Sequence, residues 1–401
     1  MTTFSQKKSI CTIGLLLGLA VLLAACGGNS GQGASSATSS TAHTQATTST
    51  TGAGASAPAP GIGLGPQTCP AAIKDPAYWN PLIPTQANVS QVESVTCGYL
   101  RGVSSLQAMV TVRYTGTGSI LDVYVYDNLT STTPTQLFKL QNLSKGSAKI
   151  SHYNTLLTAE VDQASSVNNH QPDASLTQDL FREFKWSDGA GTLVQIAFPG
   201  IFPDLTRYQA EDDQAQVNQG HQPWKLSATQ TAQALGAALL HWDANATATI
   251  VSGGGPRDTQ AVVNLKNTSP GGNGVTISMS RLEGNTNGGI WIATAVTSAG
   301  LSITQPQSTS TIARSTTITG TGSAFEGVIG TVTILDHWYT NIGQATVHGA
   351  TGNGSTTFST TVTSQPTFKA GAQEGLVMLT EESNAGTSAA GAVIVKVLIQ
   401  Q

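Results

Sequence analysis

The chain predicts a mainly β, multidomain fold with an α+β middle portion and a C-terminal β-sandwich. Three observations predict it. Apolar residues alternate with period two through most segments between 108 and 399. One stretch, 227–242, switches to a spacing of three and four. Pro- and Gly-rich breaks such as Pro199-Gly200 and Gly253-Gly254-Gly255-Pro256 cut the pattern into short pieces. A length of 401 residues leaves room for two or three domains of ordinary size. The divisions read as 1–25, 26–66, 67–220, 221–300 and 301–401, with 67–300 open to being one domain or two.

Residues 1–25 carry an address. Lys7 and Lys8 form a charged start, residues 10–23 are apolar, and Ala24 and Ala25 are small residues suited to a signal peptidase. Fourteen apolar residues are short for a bilayer span. The run Leu23-Ala24-Ala25-Cys26 resembles the lipobox of bacterial lipoprotein signals, in which the cysteine after the cleavage site carries diacylglycerol. The resemblance implies that Cys26 becomes a lipidated N-terminus and that the protein sits on the extracytoplasmic face of the cell membrane. No later segment is apolar and long enough to cross a membrane.

From 27 to 65 there is no Asp, Glu, Lys or Arg and almost no large apolar side chain. Such a segment cannot offset its ordering entropy by burial, so 26–66 reads as a disordered Ser/Thr/Gly-rich tether. Its root-mean-square span is about 35 Å. Charged residues are 10% of the chain and the formal net charge is −4, which becomes more acidic once Lys7 and Lys8 are removed. That balance argues against a nucleic-acid partner. Cys11 leaves with the signal and Cys26 takes the lipid, so Cys69 and Cys97 remain as an expected disulfide. Closing the loop between them constrains the unfolded chain by about 3 to 4 kcal/mol.

Residues 67–220 read as a β-rich domain. Leu121-Asp122-Val123-Tyr124-Val125-Tyr126 alternates aliphatic with polar or aromatic residues, and 108–114, 180–186 and 192–198 repeat the pattern, as half-buried antiparallel strands. Beyond Pro203-Asp204 comes an acidic trio, Glu211, Asp212 and Asp213, expected in a solvated turn or helix start. Residues 221–300 read as an α+β layer. Ser227-Ala228-Thr229-Gln230 has capping-box form, and Thr231, Leu235, Ala238, Leu239 and Trp242 follow at helical spacing. Strands at 261–265, 275–279 and 290–296 follow, giving a helix laid on a sheet.

Residues 301–401 open on Leu301-Ser302-Ile303-Thr304-Gln305-Pro306, continue through TITGTGSAFEGVIGTVTILD and finish on TEESNAGTSAAGAVIVKVLI. This order resembles the bacterial spore-germination immunoglobulin-like domain, with its opening I-x-x-P strand, its F-E-G strand pair, a late Glu/Ser/Gly turn and a closing hydrophobic strand. Ile303 with Pro306, residues 322–327, and Glu382 with Ser383 and Gly386 fill those places, while Ser308 to Ser315 replace the Pro-Gly segment usual after the first strand. The resemblance implies an Ig-like β-sandwich and a link to sporulation or germination envelopes. The residues alone give the same class. Val328, Gly330, Val332 and Ile334 alternate with Ile329, Thr331, Thr333 and Leu335, and Val393, Val395, Val397 and Ile399 line one face of the last strand.

Catalytic motifs are few. No G-x-S-x-G elbow, H-E-x-x-H, Walker loop or helix-opening G-x-G-x-x-G occurs after the signal, and no catalytic residue, metal site or cofactor is nominated. Candidate ligand contacts are Glu211, Asp212, Asp213, Trp224 and Glu326. The acidic trio offers hard oxygens for calcium. His221, His241 and Asp243 near Trp224 and Trp242 form a relay without a nucleophile. Glu183 lies between Arg182 and Lys185 and suggests cross-strand ion pairing. The glycine run at 253–255 reads as a turn, since no helix follows it to hold a phosphate.

Two functions compete. One is a non-enzymatic, membrane-anchored lipoprotein that binds an envelope protein or a wall polymer. The other is an exported solute-binding or hydrolytic lipoprotein with its site in residues 67–300. Two or more of Glu183, Glu211, Asp212, Asp213 and Trp224 gathered in one pocket favour the second, and their dispersal favours the first.

Overall fold

The computed structural model describes residues 63–102, 104–116, 118–268, 274–284, 288–324, 326–350, 354–368, 371–382 and 389–401. The lipobox with Cys26, most of the tether, Phe325, Ser383 and Gly386 lie outside the described residues, as does the side chain of Glu382. The fold is mainly β, built from several sheets with two short helices before the first long strand and two longer ones at the middle of the chain.

The first sheet is an antiparallel meander of β1 (Pro66–Gln67), β2 (Ser90–Gly98), β3 (Gln107–Tyr114), β4 (Leu121–Asp127) and β5 (Thr135–Leu143). Period two is obeyed, yet β4 is buried along its whole length rather than on one face. Its aliphatic face, Leu121, Val123 and Val125, packs on the second sheet. Its aromatic face, Tyr124 and Tyr126, lies under the short helices α1 (Ala71–Lys74) and α2 (Pro76–Trp79). Trp79 is fully buried there, 5.0 Å from the Tyr126 ring, with its indole N–H donating to Ile73 O at 2.8 Å. Cys69 and Cys97 sulfurs are at disulfide distance, 2.12 Å, across a sequence separation of 28, which ties this helical lid to β2.

The second sheet is β6 (Ser147–Ile150), β7 (Leu156–Glu160), β8 (Leu180–Ser187) and β9 (Thr192–Ile196), in that order and antiparallel. Ile150, Leu156, Phe184 and Leu193 join Met109, Val123 and Val125 in one core. Two helices follow. α3 (Arg207–Asn218) is capped by Thr206, whose hydroxyl accepts from Gln209 N at 3.2 Å. α4 (Ala228–Leu239) is capped by Ser227 as its capping box predicts. Its buried stripe is Ala228, Thr231, Ala232, Leu235 and Leu239, whereas Ala238 faces solvent. Ala238 therefore falls off the buried stripe, and the helix approaches the sheet most closely at Gly236, where a Cβ would sit 2.6 Å from Leu265 Cδ2.

That sheet is the largest. β10 (Thr247–Gly253), β11 (Gln260–Lys266), β12 (Gly274–Ser280) and β13 (Ile292–Ser298) form an antiparallel meander beneath α4. The chain continues as β14 (Ser302–Gln305), β15 (Ser310–Ile312), β16 (Ser315–Ser323), β17 (Val328–Leu335), β18 (Asn341–His348), β19 (Ser355–Thr363), β20 (Ala372–Glu382) and β21 (Ala389–Gln400). β21, β20, β17 and β18 extend the α4 sheet, with Val296 opposite Ile394 at the junction. β14, β16 and β19 make a three-stranded layer facing them. Between the layers lie Ile318, Phe358 and Val362 against Ile329, Val332, Val377, Val393 and Val397, a sandwich core with no cysteine in it. Gly320 is needed where β14 crosses β16, since a Cβ there would sit 1.9 Å from Ser302 O.

β21 is buried on both faces. Val393, Val397 and Ile399 enter the sandwich core, while Ala392 and Ile394 enter the core under α4. The predicted face of β21 is present, and the opposite face is buried as well because the α4 sheet continues through it.

Candidate functional site

A cleft of about 590 Å³ opens where the first two sheets meet the start of β20. Its walls come from Gly118 and Ile120 before β4, Leu140 to Asn142 on β5, Glu160 to Gln163 after β7, Leu180, Arg182 and Phe184 on β8, Gln195 on β9, and Gly371. Alternation places Leu180, Arg182 and Phe184 on one side of β8, so a single strand face supplies both apolar floor and charge. Val161, Leu180 and Phe184 are buried, and Ile120 and Leu140 are half-exposed toward the opening. The volume falls within the range of small-molecule sites, about 300–1,000 Å³.

The polar groups of this cleft are held in place from behind. Arg182 is ion-paired with Glu160, a diagonal cross-strand pair between β8 and β7. Gln195 is fixed at both ends of its amide by Ala372, donating to its carbonyl at 2.7 Å and accepting from its N–H at 3.3 Å. Asp162 accepts from Ala164 N at 3.0 Å and from the Thr367 hydroxyl at 3.2 Å. Gln141 and Asn142 N both donate to Asp122, at 2.8 and 2.9 Å. Asp122 also accepts from the hydroxyls of Tyr114 and Tyr124. Burial, followed by the charge of Asp122, holds the Tyr124 phenol well above its ordinary range.

The residues that sequence nominated lie elsewhere. Glu183 is buried on the other face of β8, accepting from Arg207 Nε at 2.7 Å and from the Thr155 hydroxyl at 2.7 Å. It is ion-paired, though to α3 rather than across the strands; Arg182 makes the cross-strand pair instead. Glu211, Asp212 and Asp213 fall within α3 and diverge around it. Glu211 meets Lys149 at 3.3 Å and accepts from His152 N, Asp212 meets Lys149 at 2.9 Å, and Asp213 pairs with Lys225. Among the described residues no group of three or more His, Cys, Asp or Glu side chains is arranged to hold a metal ion. Trp224 is half-buried against the core under α4, 6.5 Å from the Phe202 ring. Glu326 is exposed beside β17 in a left-handed turn with φ 51°. His221, His241 and Asp243 are exposed, and Asp243 accepts from Asn245 N. The glycine run closes the turn from β10 to β11, where Gly253 at φ 62° abuts Gln260 O.

Beneath α3 sits a dense nest of charge. Arg207 bridges Glu183 and Glu283 and lies over the Tyr153 ring at 4.0 Å. Burial pushes the Glu283 carboxyl up to about 8 against the pull of Arg207, and the Asp204 carboxyl up to about 7 against Lys225. Glu374 on β20 and Lys396 on β21 form a second buried pair at 3.3 Å. Glu374 accepts from Phe198 N at 2.9 Å, and Lys396 donates to Leu205 O at 2.5 Å. These pairs fasten the 198–207 segment to both sheets and face no cleft described above.

Sequence reading missed Glu160, Asp162, Gln141, Gln195 and Leu140 as cleft residues because they come from β5, β7, β9 and the loop after β7, and only pairing brings them together. The one usable signal was the Arg182 and Phe184 alternation already visible on β8. No protein-family model matches this chain, and no curated protein matches it significantly in sequence.

Proposed function

We propose that this chain is a membrane-anchored, extracytoplasmic lipoprotein acting as a non-enzymatic binding or interaction protein of the cell envelope. The lipobox ending at Cys26 carries the reading, since it supplies both export and a lipid. The uncharged 27–65 stretch gives the reach, and the Cys69–Cys97 pair suits an oxidising exterior. Glu183, Glu211, Asp212 and Asp213 are each spent on a partner within the fold, which supports interaction over hydrolysis. A link to sporulation or germination rests on the resemblance of residues 301–401. The test is Cys26→Ala in the native host. Release into the medium, or retention as uncleaved precursor, is the expected result, and a normally processed membrane-bound form refutes the anchor. The released full-length chain then serves to capture envelope protein or wall polymer.

The cleft favours a second reading, an exported solute-binding lipoprotein with its site in residues 67–300. Glu160 and Asp162 are both engaged within the fold, so retention of a solute rather than hydrolysis is the form of it that this geometry supports.

A further inference from the structure

The ligand class of the cleft follows from its charge inventory, and the inference rests on the binding-protein reading above. Its floor and lip are apolar: Ile120, Leu140, Val161, Leu180 and Phe184. Around that floor stand two carboxylates, Glu160 and Asp162, and one cation, Arg182, already paired with Glu160. A third carboxylate, Asp122, lies directly behind Gln141 and Asn142 and is held by neutral donors. Asp179, behind Asp162, is pushed above its ordinary range by burial and is not part of the cleft wall, so it is not counted as a charge. Asp179 Oδ1 accepts from Asp162 N at 2.7 Å, while its Oδ2 is buried without a hydrogen-bond partner. The Gln373 side-chain amide and both His337 ring nitrogens are likewise buried and unpartnered. Burial pulls the His337 imidazole below its ordinary range, so it adds no positive charge to the inventory.

A guest entering this cleft therefore meets an apolar body site whose wall carries one more carboxylate than cation. An anionic head would have to compete with Glu160 for Arg182 and would also face Asp162. A positively charged N–H donor suffers neither penalty. We propose that the cleft binds a small amphiphile bearing a single ammonium group on an apolar body.

The experiment uses the mature chain, residues 26–401 with Cys26→Ala, so that neither a lipid nor the apolar 10–23 run calls for detergent. Octylamine, octanol and octyl sulfate are titrated calorimetrically at pH 7, below their micelle-forming concentrations. Octylammonium is expected to bind at least tenfold more tightly than octyl sulfate, about 1.4 kcal/mol, with octanol between them. Asp162→Asn, which keeps an oxygen for Ala164 N and offers an amide N–H to the Thr367 hydroxyl oxygen, is expected to cut that preference to threefold or less. Leu140→Trp, at a half-exposed wall position that tolerates bulk, is expected to abolish binding of all three. Octyl sulfate binding as tightly as octylammonium overturns the proposal, as does unchanged binding in Leu140→Trp. If no probe binds while the chain still captures envelope material, the ligand class is refuted and the binding-protein reading stands. If neither occurs, both fall.

Discussion

Glu374→Gln tests whether the buried Glu374–Lys396 pair is a source of pH dependence. Both side chains are sealed from solvent, at 2% and 0% exposure, and burial raises the carboxyl to about 7. In the unfolded chain it returns to about 4.5. Between those values the unfolded carboxyl is ionised while the folded one keeps its proton, so stability falls as pH rises through the window and stops falling above about 7. At about 1.4 kcal/mol per pH unit, the native protein should lose about 3 kcal/mol across it relative to the glutamine variant, which does not titrate. Urea unfolding of both proteins at half-unit steps from pH 4.5 to 8 gives the two curves, read at constant m. Parallel curves, or a native protein that gains on the variant with rising pH, refute the reasoning.

Three further outcomes are expected. Arg207→Met strands Glu183 and Glu283 in the interior and should cost about 3–5 kcal/mol at pH 9; because the Glu283 carboxyl sits near 8, the loss should shrink at pH 6, as followed by urea unfolding at the two values. Thr206→Ala removes the α3 cap and should lower stability by about 1 kcal/mol, with cleft binding intact. Replacing Cys69 and Cys97 together by Ser should cost between about 3 and 4 kcal/mol, and addition of a reductant to the native chain should reproduce the shift in its melting temperature.

Much of the architecture was legible because it rests on local pattern. The alternation in β4, β17 and β21 and the capping box of α4 depend on neighbours in sequence, and each element stands where its pattern puts it. α3 was less legible. Its charged composition reads as a turn, and the capping signal Thr206-Arg207-Tyr208-Gln209 is easily passed over beside three acidic residues. What local pattern does not carry is which second face becomes buried. Tyr124 and Tyr126 look like a solvent face until α1 and α2 close over them, and Ile394 looks like the back of a sandwich until α4 packs there. The cleft shows the same limit. Glu160 and Arg182 are more than twenty residues apart in sequence and meet only through the register of β7 on β8. Of the acidic residues adjacent in sequence, Glu211 and Asp212 meet on Lys149 while the helical turn sends Asp213 to Lys225.

The sharing of β21 between two cores bears on how the polypeptide reaches its final state. A chain emerging from its N-terminus presents α4 and β10–β13 early, and β14–β19 next, but neither apolar surface is sealed until the twelve residues from Ala389 to Gln400 have emerged and slotted between β13, β15 and β20. Closure is thus a late, long-range event. The interval before it leaves two sticky surfaces open, a window in which chaperones would act and in which a chain cut short before residue 389 would aggregate rather than accumulate.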